Sequence, residues 1–342
     1  MEPAARKQKI LSSIVECFIR SGEPVGSKSL LDISGLKVSS ATVRNDMAEL
    51  TEKGYLAQPH TSAGRVPTQS GYRYYIDNVM KLTPVTESGE EYIREVLSRR
   101  GDSPESILQS AADLLSRLTD CVALATTPGG DDARIRKISF VPTGAHAAMA
   151  VVIASSGVIK TKLFRCEFLL TPEILQVFDK AFNEAFAGIR LGSVTQPFIQ
   201  TAAANFGELS LFMTSPLTAM KDACEQASQL SVCHSGFGKL MNITGANITE
   251  AHRVWEFLQN EHDLAAMLDR LPQELSATIG SENSRTELAK SSVVSTRYKA
   301  GDSVSGVLAV IGPMRMDYAR VMSIIGCVAN CAGEMIGELI RI

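Results

Sequence analysis

Residues 22–77 read GEPVGSKSLLDISGLKVSSATVRNDMAELTEKGYLAQPHTSAGRVPTQSGYRYYID, and this stretch decides the N-terminal fold. Its pattern predicts a short helix, a turn, a second helix and a β-hairpin with a charged tip. Ser27 is suited to cap the first helix, Lys28 to Ile33, which Gly35 breaks. Ser39 or Ser40 then caps a longer helix that stops at Gly54, where a left-handed residue ends helices well. Val43, Met47 and Leu50 fall on one stripe of that helix and predict a buried face.

At roughly 100° per residue, the opposite face carries Ala41, Thr42, Asn45 and Ala48, with Arg44 on its flank. A small, polar, Asn-bearing face at the start of a second helix suits the DNA major groove. Asn pairs bidentately with adenine, and Thr or Ala touches a thymine methyl. The hairpin reading puts Gly64 and Arg65 at its tip, where Arg65 would meet a phosphate or enter a narrow minor groove. Against this stands the plain reading, a small helical domain with an ordinary polar face.

Three runs carry a resemblance: GEPVGSKSL (22–30), VSSATVRNDMAEL (38–50) and GYLAQPHTSAGRVPTQSGYRYYID (54–77). They resemble the N-terminal winged helix of the HrcA family of heat-inducible transcription repressors. A second block, VIGPMRMDYARV (310–321), is similar to that family's C-terminal signature. Val43 and Asp46 stand where the family more often has Ile and Glu.

The resemblance implies DNA contacts by Ser27, Lys28, Ser39, Ser40, Thr42, Arg44 and Asn45 of the helix pair. It implies the same for His60, Thr61, Ser62 and Arg65 of the hairpin. It further implies a homodimer on double-stranded DNA, the CIRCE inverted repeat upstream of chaperone genes. The GroEL chaperonin would keep the repressor active until heat diverts it. On that view the free repressor folds marginally, with Phe178, Phe182 and Phe186 as candidates for exposed apolar surface.

Composition sets the bounds around this head. The 342 residues predict two or three domains, and 45% hydrophobic residues supply their cores. Residues 1–82 hold 11 Lys and Arg against 8 Asp and Glu, whereas the whole chain carries a net charge of −3. A mildly basic head on an acidic body fits local phosphate contacts. Arg6, Lys7 and Lys9 on the first helix, 4–21, read either as backbone contacts to DNA or, preferably, as a solvated helix end.

The 7 cysteines show no zinc spacing and read as reduced thiols. No signal peptide and no apolar run of about 18 residues is evident, so the expected location is cytoplasmic, away from membranes. No catalytic or nucleotide fingerprint occurs, so neither an enzyme nor a cofactor or metal site is expected.

Beyond the head the pattern predicts an α+β body. Helices are expected at 89–100, 104–120, 173–187, 197–213, 216–230, 248–271 and 317–340. Strands are expected at 135–141, 147–153, 158–168, 236–243, 275–280, 291–298 and 304–311, with 121–127 either strand or helix tail. Together with the resemblance this gives a multidomain α+β chain. Its parts are a winged helix-turn-helix (1–82), a linker and helix (83–103), a GAF-like domain (104–169 and 236–342) and an inserted α-rich dimerisation domain (170–235). Residues 281–285 read as a plain polar turn, and Arg315 and Arg320 as interdomain partners of carboxylates. The rival function is a winged-helix regulator whose GAF-like pocket senses a small molecule.

Overall fold

A computed structural model describes residues 3–60, 63–99, 101–130, 133–207, 210–243, 247–301 and 304–341. Thr61 and Ser62 of the predicted site lie outside them. The head begins with α1 (Pro3–Ser21), α2 (Ser27–Ser34) and α3 (Ser40–Glu52), followed by β1 (Leu56–Ala57), β2 (Val66–Pro67) and α4 (Gln69–Asn78). Gly26 precedes α2 without a side-chain cap, so Ser27 is the first helical residue and not the cap. Its hydroxyl lies 3.2 Å from that of Ser40 and ties α2 to α3. Ser39 caps α3 by accepting from the Thr42 amide, and Gly54, at φ +78, follows its last turn.

The segment after the head is a folded helix, α5 (Glu87–Ser98), capped by Thr86 and burying Ile93 and Leu97. α6 (Pro104–Thr119) follows, and β3 (Val122–Thr126) is a fully buried strand. β4 (Ile135–Gly144), β5 (Ala147–Ala154) and β6 (Ile159–Arg165) then form a separate three-stranded antiparallel sheet. One face of that sheet is closed by α7 (Pro172–Phe186), α8 (Gln196–Asn205) and α9 (Ser210–Ser228). This unit has its own core, running from Ile135 to Ala227. The insert therefore starts near residue 135, and the expected border at 169/170 falls inside it. It is a sheet-and-helix unit, α-rich only in its second half. α9 continues through Pro216, and the helix break expected at 214–215 falls instead between the end of α8 at Asn205 and the start of α9 at Ser210. Phe178, Phe182 and Phe186 are interior: Phe178 and Phe182 meet Phe140 edge to face, Phe182 stacks on Phe206 and Phe186 lies tilted against it, and the three expose at most 3% of their surface. They are not an exposed apolar surface of the folded chain.

The chain returns through β7 (Val232–Ser235), α10 (Leu240–Ile243), α11 (Ile248–Gln259) and α12 (Glu261–Asp269). β8 (Ser276–Ile279), β9 (Ser291–Ala300), β10 (Val304–Pro313) and α13 (Tyr318–Ile340) complete it. Residues 237–243 are helical, not the strand expected there, because the strand at this edge is formed one segment earlier, by 232–235. Asn260 divides the expected long helix by ending α11 and capping α12.

The second sheet runs β7-β3-β10-β9-β8, antiparallel throughout. Period-two alternation sorts its side chains between two helix layers. Ala123, Ala125, Leu308 and Val310 face the core shared with α6, α13 and the head. Val122, Leu124, Val307, Ala309 and Ile311 face α11 and α12. Burial on both faces explains why these strands read as continuous apolar runs. α13 is long and apolar enough to cross a membrane by length and composition. Here it is a core helix, with Ile325, Val328, Ala332 and Ile336 fully buried.

Candidate nucleic-acid interface

The candidate face is built from the inside of α3 outward. Val43, Met47 and Leu50 are buried, as the stripe predicts. Each large aliphatic side chain so buried contributes roughly 1.5–3 kcal/mol. Ala41, Arg44 and Asn45 are exposed on the other side, with Thr42 and Ala48 half-buried beside them. The Thr42 hydroxyl sits 2.9 Å from that of Ser39, so the cap also fixes the threonine rotamer. Lys28 and Ser39 are exposed near the start of the pair.

Asp46 is the residue that sequence reasoning passed over. It lies on the buried side, 5% exposed, next to Val43 and Met47. A buried carboxylate needs a partner, and Arg6 supplies one from α1: Nε donates to Oδ2 at 2.6 Å and Nη2 to Oδ1 at 3.1 Å. One turn on, Lys7 meets Glu49 at 2.5 Å. Hydrogen bonds from Lys7 and then Lys53 hold the Glu49 carboxyl below its ordinary range. Arg6 and Lys7 are therefore clamps on α3 and not a free solvated end. A carboxylate inside an apolar stripe was the signal that could have found this.

The hairpin differs from its predicted shape. β1 and β2 pair Leu56 with Pro67 and Ala57 with Val66. The turn lies further out, where Ala63 donates to the His60 carbonyl and Gln58 reaches the Ala63 carbonyl. His60 is exposed at this turn. Arg65 is not at the tip. Its backbone pairs with Val25 through two 2.9 Å hydrogen bonds, and its Nε donates to Thr51 Oγ1 at 3.0 Å. Gly64 is required for this approach: a Cβ there would stand 2.4 Å from the Val25 carbonyl. The structure thus joins Ser27 to Ser40 and Ser39 to Thr42, leaves Lys28, Arg44 and Asn45 exposed on the same helix pair, and places Arg65 as a half-buried brace on Thr51 and His60 at the outer turn.

The head is joined to the body along α4. Arg73 Nε donates to Glu282 Oε1 at 3.1 Å, Arg73 Nη2 donates to the Ala277 carbonyl at 2.6 Å, and Gln69 accepts from Ser281. Residues 281–285 are accordingly a docking turn. The rings of Tyr72 and Tyr318 lie 5.9 Å apart. The Arg315 guanidinium covers Gly22 at the end of α1, and a Cβ at Gly22 would fall 2.3 Å from it. Arg320 donates to the Leu118 carbonyl. Among the described residues neither arginine pairs with a carboxylate, contrary to expectation; the partner of Arg320 is a backbone carbonyl. Asp317 caps α13 as expected. No group of three potential metal ligands occurs among the described residues.

An α+β chain with a helix pair and hairpin docked on a mixed body now has relatives to be set beside. A family model described as the HrcA protein C terminal domain matches residues 105–322. A heat-inducible transcription repressor HrcA of Acetivibrio thermocellus is 32% identical over 98% of this chain and 97% of its own. One of Laribacter hongkongensis is 33% identical over 97% and 96%. A crystal structure described as a hypothetical protein shares the fold, with a TM-score of 0.65, 23% identity and 98% of both chains covered. The class is therefore that of transcription regulators with a mixed α/β fold. The chain belongs to the HrcA family, the heat-inducible transcription repressors.

Proposed function

We propose that this chain represses transcription by binding a CIRCE-type inverted repeat as a homodimer in the cytoplasm, kept active by the GroEL chaperonin. The observation that carries the reading is the exposed Arg44 and Asn45 face, with half-buried Thr42 beside it, held on a helix whose inner side is clamped by Arg6. On this reading residues 1–82 act as a winged helix-turn-helix, with Asn45 and Thr42 reading bases and Arg44 holding a phosphate or guanine edge. Ser39, Ser40, Ser27 and Lys28 position the backbone of the duplex. The hairpin around His60 to Arg65 lies along the adjacent groove.

The five-stranded sheet between helix layers acts as a GAF-like body, and the insert brings two chains together. The outer face of the insert's sheet supports the dimer. Val141, Met149 and Leu163 form one cross-strand row and Ile153 and Ile159 another, with Val141, Ile159 and Leu163 exposed. An uncovered apolar patch of this kind marks an interaction surface. A two-fold pair of heads then matches the two arms of an inverted repeat.

The test is fluorescence anisotropy of purified protein on a labelled CIRCE duplex and a scrambled duplex at one salt concentration, with and without chaperonin. Tight binding to the CIRCE duplex alone, strengthened by chaperonin, is expected. Equal binding to both duplexes would remove operator recognition from the reading. Indifference to chaperonin would remove that partner.

A further inference from the structure

The joint between head and body is polar at its edge. Arg73 holds Glu282 and the Ala277 carbonyl, and Gln69 accepts from both the amide and the hydroxyl of Ser281. Arg73 and Gln69 are only half-buried, and Ser281 and Glu282 are exposed. Such pairs add little net stability, because opening returns each group to water. Polar interfaces of this kind between domains of one chain commonly open and close.

The centre of the joint carries a defect. Tyr72 of α4 faces Tyr318 of α13 and is 3% exposed, and its hydroxyl has no hydrogen-bond partner among the described residues. The Tyr318 hydroxyl beside it is fully used, by the Met314 carbonyl and Ser292. A buried hydroxyl left unmade is rare and weighs against the state that buries it. The docked head carries that penalty. A head whose α4 has moved off α13 does not, because water then reaches the hydroxyl.

The chain around the joint permits such a state. Residues 79–86, between α4 and α5, belong to no helix or strand, and residues 81–84 are exposed. Extended, a stretch of this length spans roughly 25 Å. The head is joined to the body by this one crossing, whereas the insert is held by two, paired where the Thr127 amide donates to the Ser231 carbonyl at 2.9 Å. The head also has a core of its own: Ile10, Leu11, Ile14, Leu30, Val43 and Leu50 are at most 5% exposed. The Arg6–Asp46 pair ties α1 to α3 within it. Leaving the body does not require the head to unfold.

We propose that the head is a detachable unit: the joint opens as a whole between α4 and the β8–α13 side while head and body each stay folded, and the unmade Tyr72 hydroxyl sets how readily it opens. Such an opening lies below global unfolding in free energy. Docked, the head is held in one orientation; undocked, it hangs on residues 79–86. On the inverted-repeat reading above, two undocked heads lose their fixed spacing, and operator affinity falls with the effective concentration of the second head. The opening itself does not rest on that reading.

The experiment is hydroxyl-radical footprinting of the full chain without DNA, over a temperature series, read by mass spectrometry. Tyr318 at the joint, Tyr298 in the body and Met47 in the head core are all at most 4% exposed in the docked chain. Tyr318 should gain label at temperatures where Tyr298 and Met47 remain protected. Tyr72→Phe removes the unmade hydroxyl, so Tyr318 labelling at a given temperature should fall about tenfold. Gln69→Ala removes the edge bonds to Ser281 and should raise it. That second variant keeps the test decisive if Tyr72→Phe fails to fold, and far-ultraviolet circular dichroism reports the folding of both. Tyr318 labelling that rises only together with that of Tyr298 and Met47 would mean the head leaves by global unfolding, and would overturn the proposal. Tyr318 labelling unchanged or increased in folded Tyr72→Phe would mean the hydroxyl is satisfied when docked. Labelling unchanged in folded Gln69→Ala would mean the edge does not hold the head. Either result would overturn the proposal equally.

Discussion

Removing one oxygen from Tyr318 tests the joint between head and body. The Tyr318 side chain is fully buried, and its hydroxyl donates to the Met314 carbonyl at 2.7 Å and lies 2.7 Å from the Ser292 hydroxyl. Ser292 is itself 0% exposed. Tyr318→Phe keeps the ring against Tyr72 and leaves no cavity of side-chain size, so the cost is polar. It strands the fully buried Ser292 hydroxyl and removes the donor of the half-buried Met314 carbonyl. An unsatisfied buried group costs roughly 1–3 kcal/mol, so a loss of about 1–3 kcal/mol is expected. Urea unfolding of the full chain should show the transition containing the joint shift to lower denaturant at unchanged slope. Adding Ser292→Ala removes one of the stranded partners. The double variant should therefore recover about 1 kcal/mol relative to the sum of the two single changes. A single-variant loss under about 0.5 kcal/mol, the scatter of ordinary surface changes, would refute the account. So would strict additivity in the double variant, because the two hydroxyls would then not be partners.

Asn45→Ala should relax discrimination at one base position by roughly 1–3 kcal/mol while leaving the melting curve unchanged, read by competition anisotropy. Gly64→Ala should lower both thermal stability and DNA affinity, since a Cβ 2.4 Å from the Val25 carbonyl must open the bridge to Arg65; calorimetry and anisotropy check the two together. Burial pushes the Glu282 carboxyl up, but hydrogen bonds from Arg73 and the Ile279 amide outweigh it, and the group sits below its ordinary 4.5. Its stabilisation is therefore whole above pH 4.5 and is lost as pH falls through the lower folded value. Glu282→Gln should flatten that part of the acid limb in urea titrations. Burial also pushes the thiols of Cys121 and Cys224 up to about 11 and about 12. Both should resist thiol reagents at pH 8 in the native chain and react once it is unfolded.

What could be read in advance depended on how local its cause was. The cap at Ser39, the stripe of Val43, Met47 and Leu50, and the left-handed Gly54 are settled within a dozen residues, and α3 follows from them. The apolar runs of β3, β9 and β10 are equally plain, because burial on both faces leaves no polar alternation to confuse. The insert's border was not legible. β4 to β6 alternate like any half-covered strands, and nothing in Ile135 to Arg165 says which sheet they join. Residues 237–243 carry a strand-like pattern, yet the partner on β3 is already taken by Val232–Ser235. Arg65 reads as a hairpin tip only while Val25, forty residues earlier, is left out; their bridge is what moves it inward.

The same non-local logic decides what α3 can do. α3 is fixed to α1 by Arg6 and Lys7, and the end of α1 at Gly22 lies beneath Arg315 of the body. α4, next in the head, is fixed to the body by Arg73, Gln69 and Tyr72. Two independent anchors on one small domain leave it little freedom to rotate about the chain that follows. On the reading proposed above, the spacing of two heads across an inverted repeat is set by how the bodies associate, not by the linker. The block 310–321 resembles a family signature, and its place in the structure accounts for that without any catalytic role. Met314, Arg315, Asp317 and Tyr318 supply the floor on which the head stands. A change there should reach DNA through head placement, with the Asn45 face itself untouched.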